Sequence, residues 1–366
     1  MKLSQSCLSN LETQAVIKVL KKGYLGMGEE VKKFEKELSN FFKRSAVCTS
    51  SGTSALHLAL QAIGITKGDE VLVPTITYIA SFQAISASGA KPIACDIDPA
   101  DLTICLKDAK KKLSKKTKII MPVHYAGSPG KLDNIYKFAK KNKLRIIEDA
   151  AHAFGSIYKK KIGSTGDIVC FSFDGIKNIT SGEGGCVVTK DKKIIKKIQT
   201  LRLLGIEKET NSKFKGIRNW KFDVKEQGWR YHMSNIMAAI GLQQLKRFNF
   251  LSNKRKSLAR YYDKKLKKIK YIFCLPSNYK KIVPHIYPVQ IKNAKKKKLF
   301  VSKLKKEKIE VGFHYRPNHL LSLYKNKNNY FPNASKIYPT MLTLPLHPNM
   351  NNKDIDKIVK IAEKII

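Results

Sequence analysis

Between residue 46 and about residue 190, short apolar runs alternate with longer amphipathic stretches. The runs EVLVP (70–74), KPIACDID (91–98), KIIMPVH (118–124), RIIEDAA (145–151), IVCFSF (168–173) and GGCVVT (184–189) are short and rich in β-branched residues, which predicts buried strands. Between the earlier runs, TSALHLALQAIG, IASFQAISASG and KLDNIYKFAKKN repeat apolar residues at helical spacing, with glycine often closing the pattern. Buried strands alternating with helices predict an α/β fold around a mainly parallel sheet covered on both faces. In such sheets ligands bind beyond the carboxyl ends of the strands. After about residue 250 the pattern changes. A lysine-rich helical stretch, NKRKSLARYYDKKLKKI, leads into short segments with prolines at 276, 284, 288 and 317, and DIDKIVKIAEKII forms a last helical period. This predicts a large domain over 1–250 and a smaller α/β domain over 251–366.

With 366 residues, 43% of them hydrophobic, the chain can bury a sizeable core. No apolar block reaches the ~18 residues that would suggest a bilayer span, and the N-terminal stretch lacks the apolar run of a secretory signal, so a cytoplasmic location is expected. The seven cysteines are scattered, without CxxC pairs or zinc spacing, and read as reduced thiols rather than metal ligands. The net charge of +43 raises nucleic-acid binding. However, the lysines recur along almost every amphipathic segment, as solvated helix faces do, and no nucleic-acid motif accompanies them. Such a field would also attract an anionic small molecule.

Three stretches could carry chemistry. SSGTSALHLAL (50–60) places hydroxyls and Gly52 at a helix start, where free N–H groups suit a phosphate; plain capping is the alternative. EDAAHAFGS (148–156) brings Glu148 and Asp149 to a strand end, with His152 close by. Two carboxylates there need partners; a protonated ring nitrogen would serve, and metal binding or a helix cap would serve as well. FSFDGIKNITSGEGG (171–185) sets Ser172 at a strand end and Lys177 in a stretch with few charges, unlike the lysines in surface runs. A lysine of depressed pKa in such a place can form a Schiff base.

Together these stretches resemble the DegT/DnrJ/EryC1/StrS family of sugar aminotransferases, and the likeness extends from GYLGMGEEVKKFEKEL to LPLHPNM. The resemblance implies the aspartate-aminotransferase-like fold (fold type I of the pyridoxal-phosphate enzymes), with the cofactor held in the large domain. It implies Lys177 as the Schiff-base lysine and proton carrier, Asp149 on the pyridine nitrogen and His152 on the phenolic oxygen. Gly52, Thr53 and Ser172 would hold the phosphate, with Ser54 assisting. Tyr78, in PTITYIAS, takes the position of the ring that stacks on the cofactor, unless it is a core tyrosine. GWRYHMSNIMAAIGLQQL (228–245) matches the region that reaches the neighbouring subunit's site, which implies a homodimer with shared active sites. Where many members have asparagine for the phosphate, this chain has Arg230 and His232. VGFHYRPNHLLSLY (311–324) resembles the substrate-side loop, with His314, Tyr315, Arg316 and His319 as candidate sugar or pyrophosphate contacts. MPVHYAG and HYRP resemble the branch that aminates nucleotide-linked 4-keto sugars, with glutamate as donor and 2-oxoglutarate leaving. A 3-keto substrate is the nearest alternative. A sugar dehydratase of the same family would carry histidine in place of Lys177, and a basic nucleic-acid-binding or regulatory protein would need none of the set.

Overall fold

In the computed structural model, residues 1–207, 222–325 and 330–366 are described. Helices α1 (Asn10–Lys21) and α2 (Glu29–Phe42) precede β1 (Ser45–Thr49) and α3 (Gly52–Ile63). Then come β2 (Glu70–Pro74), α4 (Ile79–Ala87), β3 (Lys91–Cys95), α5 (Leu106–Lys111), β4 (Thr117–Ile120), α6 (Leu132–Lys141) and β5 (Arg145–Asp149). A small hairpin of β6 (Ile157–Tyr158) and β7 (Lys160–Lys161) leads to β8 (Ile168–Ser172), β9 (Gly185–Thr189) and α7 (Lys192–Leu201). The main sheet runs β1-β9-β8-β5-β4-β2-β3. Its pairings are parallel from β3 across to β8, and β9 runs antiparallel to both β8 and β1. The expected mainly parallel sheet is therefore present, with one reversed strand.

Both faces are covered, as continuous apolar strands require. Phe34, Leu38 and Phe42 of α2 and Ile135 and Phe138 of α6 pack on one face. Leu58 and Leu60 of α3, Phe82 and Ile85 of α4 and Ile198 of α7 pack on the other. Each such side chain stabilises the fold by about 1.5–3 kcal/mol on burial. Strand alternation divides β5 between the two faces, Ile146 joining the first cluster and Ile147 the second.

Helix α8 (Asn235–Lys246) packs with α1 and α2, its Ala238 and Leu242 joining the first core cluster, and the C-terminal part contributes α9 (Phe248–Leu266), β10 (Ile272–Cys274), β11 (Tyr287–Ile291), α10 (Ala294–Lys306), α11 (Pro332–Ile337), β12 (Met341–Leu344) and α12 (Asn352–Ile365). Strands β10, β11 and β12 form an antiparallel sheet. Leu258, Phe300, Leu304, Ile355 and Ile358 from its helices share one core with it. The amine of Met1 donates to the carbonyl of Lys308, and Leu346 N–H donates to the carbonyl of Leu3, so the chain start packs on this C-terminal sheet.

Candidate active site

Helix α3 begins where Ser51 caps it. Its hydroxyl accepts from Ser54 N–H, and the Ser54 hydroxyl accepts from Ser51 N–H, a capping box built from two serines. The Ser54 hydroxyl is thereby occupied within the cap. Gly52 and Thr53 are the first two helical residues, whose amides have no intrahelical acceptor. A Cβ at residue 52 would lie 2.7 Å from Ser172 Cβ, so only glycine lets α3 approach the end of β8 this closely. Two free amides, the Ser172 hydroxyl and the positive end of a 12-residue helix make a cradle for an anion.

The cradle forms one end of a cavity of about 370 Å³. Its wall contains Gly52, Thr53, Tyr78, Asp149, His152, Ser172, Lys177, His314 and Tyr315, which come from widely separated parts of the chain. A wider groove of about 960 Å³ at the β3 edge, lined by Glu70, Phe82, Tyr324 and three lysines among others, contains none of these residues. Alternation along β5 sends Glu148 and Asp149 to opposite faces. Glu148 is buried away from the cavity against His124 Nε2, at 2.8 Å, and accepts a 2.7 Å bond from the Tyr136 hydroxyl. Asp149 enters the cavity wall, where the Ser81 hydroxyl donates to Oδ2 at 2.7 Å and Ala151 N–H donates to Oδ1 at 3.2 Å.

Lys177 sits in the loop between β8 and β9. Burial holds its amine below the ordinary lysine range, opposed by Asp174, Asp149 and Glu183 and reinforced by the Arg255 guanidinium. A less basic amine is the form that condenses with a carbonyl. Its Nζ lies 3.4 Å from His285 Nε2. The His152 and His285 rings pack 4.3 Å apart, and His152 Nε2 lies 2.9 Å from the Tyr315 hydroxyl. Both imidazoles are held well below the usual histidine range, first by burial and then by Lys177. His314 is pushed down to about 4 by burial and Lys177, so all three are neutral near pH 7.

Tyr78 is 58% exposed at the cavity, 5.6 Å from the Tyr315 ring, which excludes a core role. Other expected contacts lie outside the wall. His319 is buried against Phe331 with Nδ1 2.7 Å from Thr75 Oγ1, so its ring is committed to packing. Arg316 is exposed and donates to its neighbour Leu320 O. Arg230 and His232 flank Tyr231, whose carbonyl accepts from Ser50 N–H beside the cradle, yet neither lines the cavity of this chain.

Several residues of the site came from no sequence motif. Ser81 is a fully buried hydroxyl in the apolar helix α4, an inward polar position that the helical period exposes once read. Arg255 lies on the buried stripe of α9 with Leu251, Leu258, Ala259 and Tyr262, where a lysine-rich helix otherwise keeps its charges outside. His285 stands alone before β11, and no local pattern distinguishes it.

The model of the DegT/DnrJ/EryC1/StrS aminotransferase family matches residues 6–363. This chain belongs to that family. It is 33% identical to the spore coat polysaccharide biosynthesis protein SpsC of Bacillus subtilis, over 97% of this chain and 94% of that one. The PLP form of Spr1654 from Streptococcus pneumoniae, described as a sugar aminotransferase, superposes with a TM-score of 0.92 at 29% identity, covering 100% of this chain and 99% of that one. Helicobacter pylori PseC, an aminotransferase of pseudoaminic acid biosynthesis, superposes with a TM-score of 0.92 at 30% identity, covering 99% and 98%. The fold is fold type I, and the family member is a sugar aminotransferase that uses pyridoxal phosphate. Enzyme chemistry therefore displaces the nucleic-acid reading that the +43 charge raised. The cavity fits that cofactor on its own chemistry: an anion cradle at Gly52, Thr53 and Ser172, an anchored carboxylate at Asp149, and a lysine of lowered basicity.

Proposed function

We propose that this chain transfers the amino group of glutamate to a nucleotide-linked 4-keto-deoxysugar, for an amino sugar of a surface polysaccharide. A single observation carries the reading: Lys177 and the anchored Asp149 share one cavity with the anion cradle. Pyridoxal phosphate, when bound, supplies a cationic ring that makes the carbon–hydrogen bond beside the transferred nitrogen acidic. Lys177 would carry the cofactor and move the proton at that carbon. Asp149, fixed by Ser81 and the Ala151 amide, would accept from the ring N–H. The cradle residues would hold the phosphate, and His152 would meet the phenolic oxygen. Tyr78, beside the cavity mouth, would cover one ring face.

The substrate class draws support from the names of SpsC and PseC and from the HYRP and MPVHYAG stretches. His314 and Tyr315 are the substrate-side residues within the cavity wall; Arg316 and His319 would need to act from outside it. A field as positive as +43 would gather a pyrophosphate-bearing sugar. The reading includes a homodimer in which Arg230 or His232 completes the phosphate site of the partner. It also includes a cytoplasmic setting, supported by seven free cysteines, which suit a reducing compartment. Among the described residues no helix is long and apolar enough to cross a membrane.

The test is a panel of dTDP-, UDP- and GDP-linked 4-keto and 3-keto sugars with glutamate, read by mass spectrometry. The proposal expects an aminated 4-keto product and 2-oxoglutarate, both lost in Lys177→Ala. Amination confined to 3-keto sugars, or dehydration without amination, contradicts it.

A further inference from the structure

The Lys177 amine has one nitrogen neighbour that the proposed chemistry leaves without a task. His285 is 2% exposed, its Nε2 lies 3.4 Å from Lys177 Nζ, and its Nδ1 has no hydrogen-bond partner. The unpaired nitrogen alone does not set this residue apart, since His57, His124 and His347 are also buried with an unpaired ring nitrogen; its contact with the Lys177 amine does. Here the one nitrogen that has a partner faces a reactive amine.

Two buried side chains build that contact. The Arg255 guanidinium donates to the carbonyls of Ile176, at 3.2 Å, and Lys177, at 3.4 Å, on the lysine loop. It also donates to the carbonyls of His285 and Leu346, each at 3.1 Å, on the C-terminal part. Asn178 Nδ2, next to the lysine, donates to the carbonyls of Phe154 at 3.2 Å and Val283 at 3.3 Å. The lysine loop and the segment carrying His285 are thus fastened together on both sides of Lys177.

The surroundings fix the direction of the contact. Asp174, Asp149 and Glu183 are the carboxylates acting on Lys177, and Arg255 is the opposing cation. Around His285 stand Lys177, His152, Arg255 and His314, every one of which disfavours a proton on the imidazole. When the amine is protonated it can only donate, so the neutral imidazole then accepts through Nε2.

We propose that His285 is a positioning residue, whose Nε2 accepts a hydrogen bond from the Lys177 amine and seats that amine whenever it is free and protonated. The inference rests on Lys177 being the proton carrier. The proton that Lys177 takes from the substrate carbon stays on its nitrogen, with N–H aimed at the imidazole lone pair, and leaves from the same nitrogen; none is gained or lost. A seat of this kind restricts a long, flexible side chain between transfers.

The test uses the full-length apoprotein and pyridoxal phosphate as probe. The rate at which the long-wavelength band appears is followed from pH 6 to 9 in wild type, His285→Phe and His285→Asn. Capture needs the neutral amine, so losing the acceptor of the ammonium should lower the midpoint by about one pH unit, a tenfold change in acidity. His285→Asn, whose amide oxygen can accept the same bond, should recover at least half of the shift. An unshifted midpoint in His285→Phe, or an asparagine variant that behaves like phenylalanine, overturns the proposal. If His285→Phe does not fold, His285→Ala with and without free imidazole serves instead: restoration of the midpoint by imidazole supports the seat, and its absence overturns it. A band that survives in Lys177→Ala defeats the parent reading and this one with it. A band abolished in Lys177→Ala, with an unshifted His285→Phe midpoint, defeats the seat alone.

Discussion

Helix α10 and the loop between β8 and β9 use the same residue type in opposite ways. Along Ala294–Lys306 lysines crowd the solvent side, while Phe300 and Leu304 turn inward. Lys295 and Lys298 are exposed, while Lys297, half-buried over the Phe313 ring at 5.1 Å and on the Pro339 carbonyl at 2.6 Å, loses some basicity to burial alone, outside any cavity wall. In the loop one lysine enters a cavity wall among neutral imidazoles and a buried guanidinium, and its amine becomes less basic. Burial and neighbours, rather than the side chain itself, separate a solvated charge from a reagent.

The sharpest way to break that contrast is at the carboxylate. Asp149→Asn keeps shape and the Ser81 contact while removing the anion. Transamination should fall on the order of 100-fold or more, with the cofactor still captured; steady-state rates and absorbance on one sample check both. An activity within a few-fold of wild type would mean that Asp149 is not the partner of the ring nitrogen.

Next in size is Arg255→Met. It retains much of the stem's volume but leaves the carbonyls of Ile176, Lys177, His285 and Leu346 without their donor. A loss of about 3 kcal/mol in urea unfolding is expected, with slower cofactor capture because the lysine loop is released. Equal stability would remove the fastening role.

The histidines set a pH dependence. His152 and His285 are held well below their unfolded values and His314 at about 4, so the unfolded chain binds protons that the folded chain refuses. Stability should be complete above pH ~6.5 and fall below it, on the order of 1 kcal/mol per pH unit for each histidine still neutral in the fold. For His314 the loss should end near pH 4. Urea midpoints at pH 7.5 and 5.5, in wild type and His314→Asn, measure the slope, which should be shallower in the variant.

The smallest effect belongs to the outer lysines. Replacing Lys295 and Lys298 on α10 with glutamine should change stability by less than about 0.5 kcal/mol and leave cofactor capture unaltered. A large loss of capture would contradict the division between the two regions.

How legible these regions were in the sequence differs by the range of the forces involved. The apolar runs at 70–74 and 168–173 match β2 and β8 to within a residue, because buried strands declare themselves locally. The run at 91–98 overshoots: β3 ends at Cys95 because the Asp96 carboxylate turns to accept from the amides of Asn333 and Ala334, more than 200 residues away. β1 carries little local signal, since SAVCT is short and weakly apolar. The loop motifs lead to residues that share one cavity wall, because there neighbours in sequence are neighbours in space. They could not find Ser81, Arg255 or His285, which long-range packing brings in, and HYRPNH could not reveal that His314 enters the wall while His319 turns to Thr75 and Phe331.

The most direct measurement is chemical. Holoprotein reduced with borohydride, digested and mapped by mass spectrometry should carry the reduced cofactor on Lys177 and on none of the surface lysines. An adduct on another lysine, or one spread over many, would contradict the central claim that this one buried amine is the cofactor's attachment point.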